Sequence, residues 1–281
     1  MVAATMDLTT GTAPIFDDLI TVVDAAQIIA GGDIYASVLT TMVVNLAIKN
    51  ADTGAPYSGD GNGTISEAEF TAALDLAQVQ VKSTLGFGLD STTDIFTTPP
   101  ILTDDTTSDA DQASVAAYRQ AIEAVAVIAN AVSAAGSGAT AQDAFEALIE
   151  GLSDGSIDGQ SDDGAIASLA TVATLTTIVT QDVTTLVIPG TTTTVGDIET
   201  VLGSEDTGSS TTLSDQVSVT PVPAVVEVDS DEDGVVDSED AFPEDGTETA
   251  DTDGDGTGDN GDAFPEDETE TTDTDGDGVG D

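Results

Sequence analysis

The sequence has no cysteine, no histidine and no tryptophan, and only three basic residues, Lys49, Lys82 and Arg119, against 54 acidic ones. Each absence removes a class of chemistry. Without Cys or His there is no disulfide framework, thiolate nucleophile, Ser-His-Asp triad or His-ligated zinc. Without Trp, and with aromatics at 4%, stacking platforms for sugars or bases are not expected. A formal charge of -51 repels nucleic acid and anionic membranes, because binding either requires Lys or Arg. Cations are the natural partners. No run reaches the roughly 18 apolar residues of a membrane helix; "IYASVLTTMVVNLAI", from Ile34 to Ile48, reads as a buried helix. The N-terminus "MVAATMDLTTG" shows no positive n-region, so no intact signal peptide is visible: export is not involved, or a signal has been removed.

The 281 residues are enough for one or two domains, and a hydrophobic fraction of 39% is too high for a wholly disordered chain. The reading is a mixed fold in three parts. Residues 1–160 form a mainly α-helical module. Tyr118, Ile122, Val125, Ala129 and Val132 recur on one helix face ended by "GSG" at Gly136, and Thr140 caps a helix that buries Phe145, Leu148, Ile149 and Leu152. A third helix runs from Ser66 to about Val81 through Phe70, Leu74 and Ala77, and "TTPP" at Thr97 marks a break between helical pairs.

Residues 161–228 are rich in Thr, Val and Ile and are predicted to be β-rich, with Pro189-Gly190 turning one strand into the next. "DQVSVTPVPAVVEV", with Pro221 and Pro223, suits an edge strand or an extended linker. No lysine guards an edge there, so the expectation is strand addition joining copies of the chain into a fibre, or else an internal sandwich closed on itself.

Residues 229–281 are a repeat with little regular secondary structure. "DSDEDGVVDSEDAFPEDGTETA" and "DTDGDGTGDNGDAFPEDETETT" align without gaps, and "DTDGDGVGD" begins a third copy, so the period is 22 residues. The sequence stops inside a repeat, which suggests a longer natural protein. Carboxylates fall at positions 1, 3, 5, 9 and 12, with Gly at 6 and a backbone carbonyl at 7, the spacing by which an EF-hand loop surrounds Ca²⁺. The candidate ligands are Asp229, Asp231, Asp233, Val235, Asp237 and Asp240 in the first copy. In the second they are Asp251, Asp253, Asp255, Thr257, Asp259 and Asp262, and in the third Asp273, Asp275, Asp277, Val279 and Asp281. Position 12 is Asp instead of the bidentate Glu, and Pro243 and Pro265 bar an exit helix. A solvating acidic tail needs neither the period nor the fixed glycine. The 23 carboxylates of this stretch have no cation among them, and each pair about 5 Å apart repels by roughly 0.8 kcal/mol even in water.

"DTDGDGTGDNGDAFPEDETE" resembles thrombospondin type 3 repeats of the cysteine-free bacterial kind. The resemblance covers Asp229 to Asp281 and implies calcium-filled repeats, with the ions serving as the core, on secreted or cell-surface proteins.

Upstream, "SGDGNGTISEAEF" resembles an EF-hand loop and its exit helix, with Asp60, Asn62, Ser66 and Glu69 at positions 3, 5, 9 and 12. Position 1 is Ser58, where Asp is usual. The alternative is a turn followed by a capping box, Ser66 with Glu69.

The function these features imply is an extracellular structural protein, a calcium-stabilised stalk or filament subunit of a bacterial or archaeal surface. The alternative is a calcium-dependent adhesion or ligand-binding module. An enzyme is not expected: the carboxylates left for acid-base work, such as Glu123, Glu146 and Glu150, lie on helix faces where they are ordinarily just solvated.

Overall fold

The computed structural model describes residues 16, 18–23, 29, 31, 33–54, 57, 59–135, 140–157, 159, 166, 172–205, 207–225, 241–242, 245–272 and 274. Six α-helices are formed among them: α1 Val38–Asn50, α2 Glu67–Leu85, α3 Asp109–Ala135, α4 Ala141–Gly151, α5 Val172–Val179 and α6 Ile198–Ser204.

Caps written in the sequence set the starts of three helices. Ser37, Ser66 and Thr140 each accept the N–H three residues on, and Thr40, Glu69 and Asp143 reach back to the cap's own N–H. The central helix is α3. Its residues Val115, Tyr118, Ala121, Val125, Ile128, Ala129 and Val132 are buried, and α1, α4, α5 and α6 pack around it while α2 lies against α1. Although α3 is apolar enough to cross a membrane by composition, most of it is buried inside the body, as befits a core helix. Tyr118 joins the elements: its hydroxyl is 2.8 Å from Ser37 Oγ at the start of α1 and donates to Ile95 O at 2.8 Å. Burial pushes the Tyr118 phenol up to about 12.

The β-rich segment is not formed. Among the described residues 44% are helical and none lies in a strand. The stretch predicted to hold paired strands contains α5, two short 3₁₀ turns at Val183–Thr185 and Val195–Asp197, and α6. In α5, Leu175 and Val179 stand four apart and are fully buried. Burying such side chains is worth about 1.5–3 kcal/mol each, whereas the whole strand-propensity scale spans about 1 kcal/mol. Packing therefore overrides the preference of the β-branched residues. The turn at Pro189-Gly190 does form, with Gly190 at φ +80°, but only a single bridge, Val187 to Thr194, flanks it.

Residues 207–225 run extended over the helices, and their backbone groups are met by side chains and helix ends in place of a ladder. Ser214 N–H donates to Gln112 Oε1, Val219 N–H to Glu199 Oε1, Ser210 N–H to Asp104 Oδ1, and Val222 and Val225 N–H to the carbonyls of Phe87 and Thr84. Val217 and Ala224 are buried in the same apolar core as the helices. Val217 and Ala224 turn inward while Val222 and Val225 stay exposed, and no strand is formed among the described residues of this stretch.

All three cations serve this body. Lys49 Nζ lies 2.5 Å from Glu150, and Lys82 Nζ donates to Ser91 O and Thr93 O. Arg119 bonds Glu123 at 2.8 Å and Glu205 at 2.6 Å, joining α3 to the end of α6. Burial alone would push the guanidinium down, but Glu123 and Glu205 outweigh it and the Arg119 pKa is raised. Arg119→Met would leave two largely buried carboxylates without their cation. The expected loss is about 3–5 kcal/mol, measured by urea unfolding followed by circular dichroism. A loss below about 1 kcal/mol, the range of exposed pairs, would contradict this placement.

Candidate metal centres

Among the described residues, two groups of three carboxylates lie close enough to hold a metal ion, Asp251 with Asp253 and Asp255, and Asp52 with Asp60 and Glu69; within each, the ligand atoms are all within 4.8 Å of one another.

The first group is built by the backbone of the second repeat. Gly254 and Gly256 adopt φ of +81° and +92°, a region that glycine enters without strain. This folds residues 251–257 so that successive N–H groups point at the aspartates. Asp251 accepts Gly254 N–H on one oxygen at 2.7 Å and Gly256 N–H on the other at 3.0 Å. Asp253 Oδ1 accepts from Asp255 N–H, Asp255 Oδ1 from Thr257 N–H, and Asp262 Oδ1 from Phe264 N–H. One oxygen of each of these three is thereby fixed. The other, the Oδ2 of Asp253, Asp255 and Asp262, is buried with no hydrogen-bond partner among the described residues.

Three orphaned anionic oxygens in one loop are costly unless something positive meets them. Asp262, at position 12, is only 9% exposed. Burial and the charges of Asp255, Asp262 and Asp251 raise Asp253 above its ordinary pKa. The donor set fits a hard divalent cation, which prefers carboxylate and carbonyl oxygens.

Asp259, expected as a ligand at position 9, is held elsewhere. Its two oxygens accept from the N–H and hydroxyl of Thr252 at 2.8 and 2.7 Å, and the Thr252 hydroxyl holds its pKa below the usual carboxylate range. It ties the exit of the loop to its entry. Thr257 is half-buried and contributes its N–H to Asp255. Asp229, Asp231, Asp233, Val235, Asp237 and Asp240, together with Asp273, Asp275, Asp277, Val279 and Asp281, lie outside the described residues.

The repeat is also visible in the connector. Ala241 N–H to Thr249 O and Ala263 N–H to Thr271 O are both 3.2 Å, and Asp245 N–H to Phe242 O and Asp267 N–H to Phe264 O are both 2.9 Å. Each pair is separated by one 22-residue period.

The second group contains a residue the fixed spacing misses. Ser58, expected at position 1, lies outside the described residues, and it is Asp52, just after α1, that stands with Asp60 and Glu69. Its oxygens accept Asn62 N–H at 3.1 Å and Gly63 N–H at 2.7 Å, much as Asp251 accepts Gly254 and Gly256. Asp60 Oδ1 accepts from Asn62 N–H and Asn62 Oδ1 from Thr64 N–H, matching Asp253 and Asp255, with Gly61 and Gly63 again at positive φ. The intervening chain is a closed excursion. Gly59 N–H returns to Thr53 O and Gly61 N–H to Asp52 O, and a Cβ at Gly59 would meet the Asp52 carbonyl carbon at 2.3 Å. The signal available was an aspartate just upstream followed by Gly54, Pro56 and Gly59, a turn-rich insertion between positions 1 and 3.

The capping box also forms. Ser66 Oγ accepts Glu69 N–H, and Glu69 accepts the N–H of Ser66 and of Asp60, bonds that lower its pKa, the Ser66 contacts most. Here every carboxylate oxygen of Asp52 and Glu69 already has a backbone donor, unlike the orphaned oxygens of the tail. Asp52→Ala should free the amides of Asn62 and Gly63, so their hydrogen exchange should accelerate while that of α3 is unchanged. Unaltered exchange at both amides would show that Asp52 does not organise the loop.

No protein-family model, curated protein or solved structure matches the chain, so the centres are read from their own geometry.

Proposed function

We propose that the chain is an extracellular structural protein in which a helical body is carried on a calcium-stiffened stalk of thrombospondin type 3-like repeats, as part of a bacterial or archaeal surface. The observation that carries this reading is the trio of buried Oδ2 atoms of Asp253, Asp255 and Asp262 without a partner among the described residues. A purely solvating tail would turn those oxygens to water. Calcium suits them better than magnesium, because it takes six to eight oxygens at about 2.3–2.6 Å in flexible geometry, while magnesium demands a near-ideal octahedron and keeps its waters. The outside of the cell supports the reading, since extracellular modules work at dissociation constants of about 10⁻⁴–10⁻³ M.

The stalk role follows from electrostatics. Without divalent ions, residues 229–281 hold 23 carboxylates and no cation, and mutual repulsion expands the chain. Each bound ion converts repelling neighbours into ligands of one centre, so the segment shortens and stiffens. The body, whose core is apolar, needs no ion for its packing.

Small-angle scattering of the full chain distinguishes the two states. Millimolar calcium should reduce the maximum dimension reversibly, chelator should restore it, and magnesium should act weakly. Asp253→Ala with Asp255→Ala should remove one bound ion and leave the helical circular dichroism unchanged. A profile indifferent to calcium would reduce the repeats to a solvated acidic tail.

A further inference from the structure

Asp262 is buried and its charge acts on Asp253, so the exit half, Gly258 to Asp262, returns onto the entry half. Within the exit half, Asp262 N–H and Gly261 N–H both bond Gly258 O, at 3.0 and 2.9 Å, and Asp259 N–H bonds Ala250 O at 2.9 Å. This turn rests on the preceding connector. Glu248 Oε2 accepts Asn260 N–H at 2.9 Å, and Asn260 Nδ2 donates to Thr247 O at 2.8 Å. The carboxylate occupies the space that side chains at two glycines would need. A Cβ on Gly258 would stand 2.2 Å from Glu248 Oε2, and one on Gly261 3.0 Å from Oε1. Gly258 is buried beneath it.

The sequence carries the same pairing across the repeats. One period on, Glu270 and Gly280 recur. One period back, the equivalent positions are Val226 and Val236, and Glu239 stands where the second repeat has Gly261. The glutamate and its glycine are present together where a connector precedes the loop, and absent together where none does.

We infer that Glu248 is a positioning residue for the cation centre. It braces the turn that delivers Asp262, so a loop is completed by the repeat before it, and loading with metal is coupled along the ladder from the N-terminal to the C-terminal side. This inference rests on the reading that the loop takes calcium. The carboxylate acts through the hydrogen bond and the volume it fills, and a glutamine can supply both.

The test is isothermal titration of calcium chloride into the full chain and into three variants. Glu248→Ala should weaken one calcium centre by about 10- to 100-fold, the range for outer-shell residues. Gly258→Val should do the same, because valine and the Glu248 carboxylate cannot share the space. Glu248→Gln should bind as the parent does, since its amide oxygen accepts the same Asn260 N–H. Circular dichroism should be the same for all four proteins. If Glu248→Ala binds like the parent, the coupling is wrong. If Glu248→Gln falls as far as Glu248→Ala, the residue acts by charge and the positioning role is wrong. A parent chain that binds no calcium overturns the calcium reading itself, and this inference with it.

Discussion

The structure depends on one constraint: there are 54 acidic groups and only three cations, and all three cations are used inside the helical body. Arg119 holds α3 to the chain after α6, Lys49 ties α1 to α4, and Lys82 closes the loop after α2. The repeats have no basic residue of their own. Whatever order they have must come from backbone donors and from ions that the chain does not supply. The loop at Asp251 to Asp262 uses the first resource, spending one oxygen of Asp253, Asp255 and Asp262 each on an N–H, and the second oxygen of each is buried without a hydrogen-bond partner among the described residues.

The body and the repeats therefore represent two ways of building a core. In the body, Tyr118, Phe145, Leu148 and Ile128 exclude water, and the Tyr118 hydroxyl is met by Ser37 and Ile95, while Asn50 Oδ1 and Thr21 Oγ1 are buried without a hydrogen-bond partner among the described residues. In the repeat, Asp262 takes the buried position that an apolar residue would hold elsewhere. An apolar core forms whatever the ionic conditions. A core of carboxylates needs its counter-ion, which makes the repeats the part of the molecule that responds to calcium in the account proposed here.

The helices were legible because their signals are local. Ser66 with Glu69 and Thr140 with Asp143 mark starts, and the three-four spacing through Tyr118 and Val125 marks a buried face. The segment from Val172 to Val179 was not, since seven of its eight residues are β-branched or small and look alike in a strand and in a buried helix; only the docking of Leu175 and Val179 decides between them. Spacing names Asp251, Asp253 and Asp255, which the structure brings together, but it does not reveal that Thr252 donates to both oxygens of Asp259. Asp52 was missed for the complementary reason: a closed excursion through Tyr57 and Gly59 separates it from the loop along the chain but not in space. Glu248 belongs to a different repeat from the centre it braces, which no single-loop template contains.

The central claim, that the free oxygens of Asp253, Asp255 and Asp262 face a common calcium ion, is tested most directly by diffraction from crystals grown in millimolar calcium. The account predicts an anomalous peak about 2.3–2.6 Å from carboxylate oxygens of these residues, with Asp259 still bonded to Thr252. Well-ordered density for the loop with no peak, and with the three oxygens turned outward to water, would contradict it.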